Sequence, residues 1–311
     1  MSCLKTLRFA LPAILGLGAL AATSATAQQA PPPLSVKQLK PDVYWTQGGA
    51  GSNTGIIIGK TGVILIDAGT TADSAKERVA EIAKLTPKPI THVILTHSDG
   101  DHVNGVAGFP ASVTIIAHEG NKKEQQAALA AGGRGAPPAD RLPSQVVTKN
   151  KDTITIDGVK LEMLHWSPAH TSGDLVVYLP DQKIVFAGDI TTGAAYVVQT
   201  NRPNPLIHAE KAGSSEGWIT TVKGMLALNA DQFVPGHGDL QTKADIQSVL
   251  KATEDKRAKI ASMVKEGKSL DEIRTATGDI PRPATGGRGP AFASFTDVVY
   301  AELTKKPIGR G

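Results

Sequence analysis

The chain has 311 residues, 41% of them hydrophobic, 20% charged and 4% aromatic, a balance that excludes a disordered or fibrous protein and leaves enough apolar material for a core of ordinary size. Its formal charge of +4 comes from 33 Lys and Arg against 29 Asp and Glu. The basic residues are scattered, without the clustered stripe and interleaved aromatics of a nucleic-acid groove, so nucleic acid is not an expected partner.

The chain begins with Lys5 and Arg8, then an apolar stretch from Phe9 to Ala22, then the small-residue sequence Ala25-Thr26-Ala27. This is the layout of a secretory signal peptide over residues 1–27, and the apolar stretch falls short of the ~20 residues a membrane span needs. Cleavage after Ala27 leaves 284 residues, a charge of +2, and no cysteine, since Cys3 departs with the leader. The mature protein then has neither disulfide nor thiolate, so any metal must sit on His, Asp or Glu. The expected location is a bacterial periplasm, with no membrane attachment after cleavage.

Residues 28–40, with Pro31-Pro32-Pro33, read as a linker, and residues 41–311 as a single domain without repeats at solenoid or propeller periods. Four short apolar runs each lead to a polar residue: Val63–Ile66 to Asp67, Val93–Thr96 to His97, Ile184–Gly188 to Asp189, and Phe233–Gly236 to His237. Each is predicted to be a buried strand presenting a metal-competent side chain at its carboxyl end, where α/β sheets place their sites.

Between them, Ala75, Val79, Ile82 and Ala83 repeat at helical spacing after Thr70-Thr71, and Trp218, Val222, Met225 and Leu226 form a second stripe. The segment from Ala131 to Pro143 is read as a mobile surface loop. A long charged helix is expected over 243–267, a short one behind the capping box Ser269 to Glu272, and a last one around Phe295 to Leu303 after a glycine-rich loop at 286–290. Together these form a helical cover over about 243–311.

The chemistry concentrates in Thr96-His97-Ser98-Asp99-Gly100-Asp101-His102. Alternate residues His97, Asp99 and Asp101 can face one side of a turn while His102 reaches a second point nearby, a spacing that suits two metal ions better than one. His170, Asp189 and His237 follow in order at strand boundaries. His92, His118 and His165 lie on or beside strands, where a hydrogen-bonded imidazole is the ordinary role, and Trp166 reads as core. The loop from Asn201 to His208, with Tyr196, Asn201 and Arg202, reads either as a source of substrate contacts or as solvated surface.

The run resembles the His-x-His-x-Asp-His signature of the metallo-β-lactamase superfamily. Ser167-Pro168-Ala169-His170-Thr171-Ser172-Gly173-Asp174, Phe186-Ala187-Gly188-Asp189 and Val234-Pro235-Gly236-His237-Gly238 are similar to its later motifs in the same order, and Ile66-Asp67-Ala68-Gly69 to the segment that braces the site from below. The match runs from about Val43 to Leu240. It implies an α/β fold, the four-layer αββα sandwich, with His97 and His170 on a first metal, Asp101, His102 and His237 on a second, Asp189 bridging and Asp67 behind the ligands.

Asp99 stands where the family carries its second histidine. As a ligand it shifts the first site toward harder ions, so Mn²⁺ or Fe²⁺ joins Zn²⁺ as a candidate there. The implied cofactor is two divalent ions, zinc first among them, and the implied chemistry is attack of a metal-activated hydroxide on a carbonyl of a small molecule, with Asp101 orienting the hydroxide and taking up its proton. The family's alternatives stay open: a lactone, thioester or ester hydrolase, favoured by Asp189; a periplasmic β-lactamase, favoured by export; and an iron-binding oxidoreductase. Carboxylates around the cations are expected to lower their Lewis acidity and so to favour good leaving groups.

Overall fold

Strand Val63–Ile66 is buried residue by residue, because successive side chains point to opposite faces and both faces are covered. Ile64 and Ile66 pack toward a second sheet, while Val63 and Leu65 pack under a helix. This division repeats throughout the computed structural model, which describes residues 31–132, 136–200, 204–279 and 292–308. The leader at 1–27, the glycine-rich loop at 286–290, Asn201 and Arg202 lie outside the described residues.

The first sheet contains β1 (Ser35–Lys40), β2 (Val43–Gln47), β3 (Gly55–Ile58), β4 (Val63–Ile66), β5 (Ile90–Leu95), β6 (Thr114–His118) and β7 (Gln145–Val147), hydrogen-bonded in chain order. Its first four strands form antiparallel pairs, and β4 to β7 run parallel. The crossover from β4 to β5 is α1 (Ala72–Leu85), started by a capping box between Thr71 and Ser74. The 28–40 stretch thus ends in a strand, Ser35–Lys40, on the sheet edge.

The loop after β5 carries a single helical turn, α2 (Gly100–Val103), and β6 runs into α3 (Glu119–Ala130), whose N-cap is the His118 imidazole. Sequence reading gave no helix at α3 because its apolar positions are mostly alanine. Within the 131–143 segment, Ala139–Arg141 form a single helical turn. Arg141 is buried and its guanidinium donates to the carbonyls of Val106, Phe109, Pro110 and Ala111.

The second sheet runs β12 (Gln232–His237), β11 (Ile184–Thr192), β10 (Val176–Leu179), β9 (Val159–Leu164) and β8 (Lys151–Ile156). The two sheets close on a common core that includes Trp45, Ile64, Ile94, Leu161, Val177 and Phe186. Each such side chain contributes about 1.5–3 kcal/mol when fully buried. Outside the second sheet lie α4 (Ala194–Thr200), α5 (Ser215–Ala227), α6 (Lys243–Lys265), α7 (Leu270–Thr277) and α8 (Phe295–Thr304). Trp218, Val222, Ile246, Ile260 and Val298 of these helices pack on Val185 and Phe233. The result is the expected four-layer αββα sandwich, and the expected helical cover is α6 to α8.

Candidate metal centre

The seven ligand candidates come from the loop after β5, the loop between β9 and β10, strand β11 and the end of β12, and local devices fix these segments. Asp67 follows β4 in the left-handed backbone region, φ +64°, which turns its carboxylate under the β5 loop. There Oδ1 accepts from the Thr96 backbone N–H and Oδ2 from the Thr96 hydroxyl, both at 2.8 Å. Asp67 Oδ2 also accepts from His102 Nδ1–H at 2.8 Å. These bonds join the Asp67 carboxylate to both Thr96 and His102.

Asp189 corrects one detail of the sequence reading: β11 does not end there but continues to Thr192. The β11–β12 pairing shifts register between Phe186 and Gly188 and again before Thr192, and Gly188 has φ +54°. Bulges re-aim side chains, and this one turns Asp189 toward the histidines. Opposite it, β12 passes so close that a Cβ on Gly236 would lie 1.9 Å from Asp189 Oδ1. Only glycine permits that approach.

The His170 loop is tied by Asp174, whose carboxylate accepts from the backbone N–H groups of Ala169 and Thr171 and from the Thr171 hydroxyl. The segment at 48–54 is held by the buried Arg78, which donates to Thr54 Oγ1 and to the carbonyls of Ser52 and Ala50. Burial pulls its guanidinium down to about 10, despite the opposing charges of Glu77 and Asp67.

Two donor groups result: His97, Asp99, His170 and Asp189 in one, and Asp101, His102 and His237 in the other, the donor atoms of each lying within 4.8 Å of one another. Asp189 links them. Its Oδ1 is 3.2 Å from His102 Nε2 and its Oδ2 is 3.5 Å from His237 Nε2. Asp101 Oδ2 lies 3.1 Å from His237 Nε2, and the Nε2 atoms of His102 and His237 are 3.3 Å apart.

The tautomers show that cations fit. The single proton of the Thr96 hydroxyl goes to Asp67, so His97 Nδ1–H must donate to Thr96 Oγ1, at 3.0 Å. His170 Nδ1–H donates to the Leu206 carbonyl at 2.7 Å. With His102 Nδ1–H committed to Asp67, three imidazoles turn Nε2 lone pairs toward carboxylates and one another. His97 Nε2 is buried and finds no hydrogen-bond partner among the described residues. Metal-ligating histidines are held in this way, by an acceptor on the far nitrogen.

Without a cation, protons must supply the positive charge. Burial disfavours charged His102, yet Asp189, Asp67 and Asp101 outweigh it and raise its pKa well above the usual imidazole range. Burial likewise opposes ionisation of Asp189, but His237 and His102 hold its carboxyl well below the usual range. His97, where burial dominates, is pushed down.

The sequence reading missed two neighbours of Asp99. His208, assigned there to a substrate-contacting or solvated loop, is only 3% exposed, with Nε2 3.1 Å from Asp99 Oδ2 and Nδ1 2.5 Å from Glu210 Oε1. Lys211 Nζ pairs with Asp99 Oδ1 and donates to Ser98 Oγ at 3.0 Å. Burial opposes charge on both partners. Hydrogen bonds from His170 and His208, with the nearby His97, nevertheless drive the Asp99 carboxyl far below its ordinary range, and those to Asp99 and Glu210 raise His208 to about 9. The one available clue was a histidine two residues ahead of a glutamate, an arrangement common on surfaces.

Of the other candidates, Tyr196 stacks on His237 with ring centroids 4.6 Å apart. His118 and His165 stack on each other at 4.0 Å, away from the ligand set, as expected of structural imidazoles.

A profile of the metallo-beta-lactamase superfamily matches residues 48–237. The chain belongs to that superfamily. Members such as alkylsulfatase and metallo-beta-lactamase are hydrolases. The chain is similar to a linear primary-alkylsulfatase from Pseudomonas sp. (strain ATCC 19151), 25% identical over 234 residues that cover 62% of this chain and 43% of the relative. It is also similar to the alpha subunit of 2,4-dinitroanisole O-demethylase from Nocardioides sp. (strain JS1661), 29% identical over 196 residues, 62% of this chain and 54% of the relative. It therefore spans about half the length of these relatives. In fold it matches the solved structure of a stereoselective inverting sec-alkylsulfatase from Pseudomonas sp., with a TM-score of 0.66 and 18% identity over 88% of this chain and 50% of that one.

Proposed function

We propose that this superfamily member is a metal-dependent hydrolase that cleaves an activated carbonyl, a lactone, thioester or carboxylic ester, using two divalent cations, zinc by preference. The observation that carries this reading is the convergence of His97, His102 and His170, each with Nδ1 committed elsewhere and Nε2 turned inward, on the carboxylates of Asp99 and Asp189. When bound, two such cations supply Lewis acidity toward a carbonyl oxygen and lower the pKa of a shared water.

The remaining steps belong to the chain. His97 and His170 with Asp99, and His102 and His237 with Asp101, are the two ligand sets, and Asp189 holds them together. Asp101 is the most open of the carboxylates, its side chain 39% exposed. Its pKa is lowered, since His102 and His237 outweigh its burial, so it stays ionised at neutral pH and accepts a hydrogen bond from the attacking water. Tyr196, stacked on His237, borders the same centre. A cavity of about 500 Å³ begins at Asp189 and is lined by Ile190, Val197, Leu206, Trp218 and Val249, which suits an apolar acyl group.

A second reading is a sulfate ester. Its support is the similarity to the linear primary-alkylsulfatase, together with Lys211 beside the ligand set. Lys211 also changes the sequence-based expectation about Lewis acidity, because it offsets the carboxylate of Asp99. An iron-loaded oxidoreductase is the alternative of another class, since imidazole and carboxylate also suit iron. Export, with cleavage after Ala27 and a periplasmic location, rests on the leader alone.

The test is a side-by-side series of kcat/KM values on one zinc-loaded preparation, across lactones, thioesters, carboxylic esters, sulfate esters and β-lactams. A carbonyl ester, thioester or lactone is expected to lead, chelator to abolish turnover and zinc to restore it. A sulfate ester or β-lactam leading by a clear margin overturns the substrate class, and turnover unaffected by chelator overturns the reading as a whole.

A further inference from the structure

The first donor group lacks an imidazole in sequence but not in space. Three Nε2 atoms surround Asp99 Oδ2: His208 at 3.1 Å, His170 at 3.2 Å and His97 at 3.7 Å. The His170 ring meets His97 at a centroid distance of 4.7 Å and His208 at 4.8 Å, both near edge-on, so the three rings form a continuous arc. His208 also carries the anchoring shared by the other inward-facing histidines, its Nδ1–H donating to Glu210 Oε1 while Nε2 faces the centre.

The position is built into the backbone. His208 N–H donates to the His170 carbonyl at 2.8 Å, Ser214 N–H to the Ala169 carbonyl at 2.9 Å, and the Leu206 carbonyl accepts from His170 Nδ1–H. The loop that orients His170 is therefore the loop that delivers His208. On the far side, the Phe292 ring lies edge-on to His208 at 4.7 Å. A loop histidine meant only for solvent needs none of this.

We propose that His208 is a ligand of the first metal site, supplying the third imidazole that Asp99 displaced from the motif, with Glu210 as its orienting carboxylate. The inference rests on the metal-dependent reading above and refines it. Three imidazoles, Asp99 and the shared Asp189 then make up the first site, with Lys211 Nζ on Asp99 Oδ1 compensating the added carboxylate. The softer set also restores preference for zinc at the first site, against the harder-ion preference expected from Asp99 alone.

The experiment is titration of metal-free protein with Co²⁺ and with Zn²⁺, following stoichiometry, affinity and the Co²⁺ visible spectrum. The proteins compared are wild type, His208→Ala, His208→Gln and Glu210→Gln. Outer partners of ligand histidines are worth about 10–100-fold in affinity. Glu210→Gln should therefore weaken one of two ions by that factor, and both His208 variants should weaken the same ion by more, change its Co²⁺ spectrum and leave the other ion unaffected. His208→Gln keeps a neutral polar side chain in place, so a folding defect confined to His208→Ala leaves the test standing. Two ions bound by His208→Gln with wild-type affinity and spectrum would overturn the ligand role while leaving the hydrolase reading intact. A wild type that binds neither ion would overturn both.

Discussion

The two halves of the metal centre are built differently. The second group, Asp101, His102 and His237, is braced from beneath by Asp67, which comes from the neighbouring strand and also fixes the backbone of the β5 loop through Thr96. The first group departs from the superfamily motif at Asp99 and recovers through His208 and Lys211, which lie more than a hundred residues further along the chain. One half joins the β5 loop to the end of β12 over a buried carboxylate; the other is assembled between loops. A ligand lost from a motif need not be lost from the site, because a facing loop can supply the same donor in space.

The comparison breaks most completely at the residue common to both halves. Asp189→Ala should reduce kcat/KM by more than about 100-fold and reduce bound metal, since outer partners alone are worth about 10–100-fold and Asp189 lies between the two groups. Parallel metal counting and kinetics check this, and near-wild-type turnover would remove Asp189 from the centre. Gly236→Ala probes the same carboxylate sterically. The new Cβ falls 1.9 Å from Asp189 Oδ1, so the expected result is a stability loss of about 1–3 kcal/mol in denaturant melts together with most of the activity.

Asp67→Asn tests the bracing of the second half, which it touches directly through His102, while it reaches the first half only through Thr96 and His97. An amide of the same shape still accepts at one atom but no longer supplies two carboxylate oxygens to Thr96 and His102. Affinity for the ion among Asp101, His102 and His237 should fall about 10–100-fold, and the other ion should weaken less, through Thr96 and His97. Equal weakening of both ions would show that the halves are not independent.

Sequence alone gave the second half nearly complete. Apolar strand runs located Asp67, His97, Asp189 and His237, because buried strands read as continuous apolar runs whose ends are conspicuous, and the cluster after the second run supplied Asp101 and His102. The first half was legible only through His97, Asp99 and His170. His208 sits in a loop with neither period nor motif, and its burial depends on tertiary hydrogen bonds to His170 that no local pattern announces. The same reason hid the ordering of Arg141, whose partners are carbonyls of a distant turn, and α3, whose alanine-rich face carries little amphipathic signal.

The smallest predicted effect lies outside the centre and sets a baseline for it. Burial, with the charge of His165, pulls His118 down to about 4, against an ordinary value of about 6.5 in the unfolded chain. Between those values the unfolded chain binds more protons, so His118 contributes stability that is full above about pH 6.5 and is lost as pH falls toward 4. His118→Asn keeps an acceptor for the Gly120 N–H at the start of α3 without a titrating group. Thermal melts of metal-free protein should show a shallower fall below pH 6.5 in the variant, with activity near wild type once metal is restored. An unchanged acid slope would separate this stacked pair from acid stability.

The proposed function requires that these residues hold two cations around one shared carboxylate. Anomalous diffraction from crystals grown with Zn²⁺, measured on both sides of the zinc edge, tests it directly. The account predicts two peaks about 3.5–4 Å apart, one among His97, His170 and His208 and one among Asp101, His102 and His237, with Asp189 between them. A single peak, or zinc bound elsewhere with this cluster empty, would contradict it.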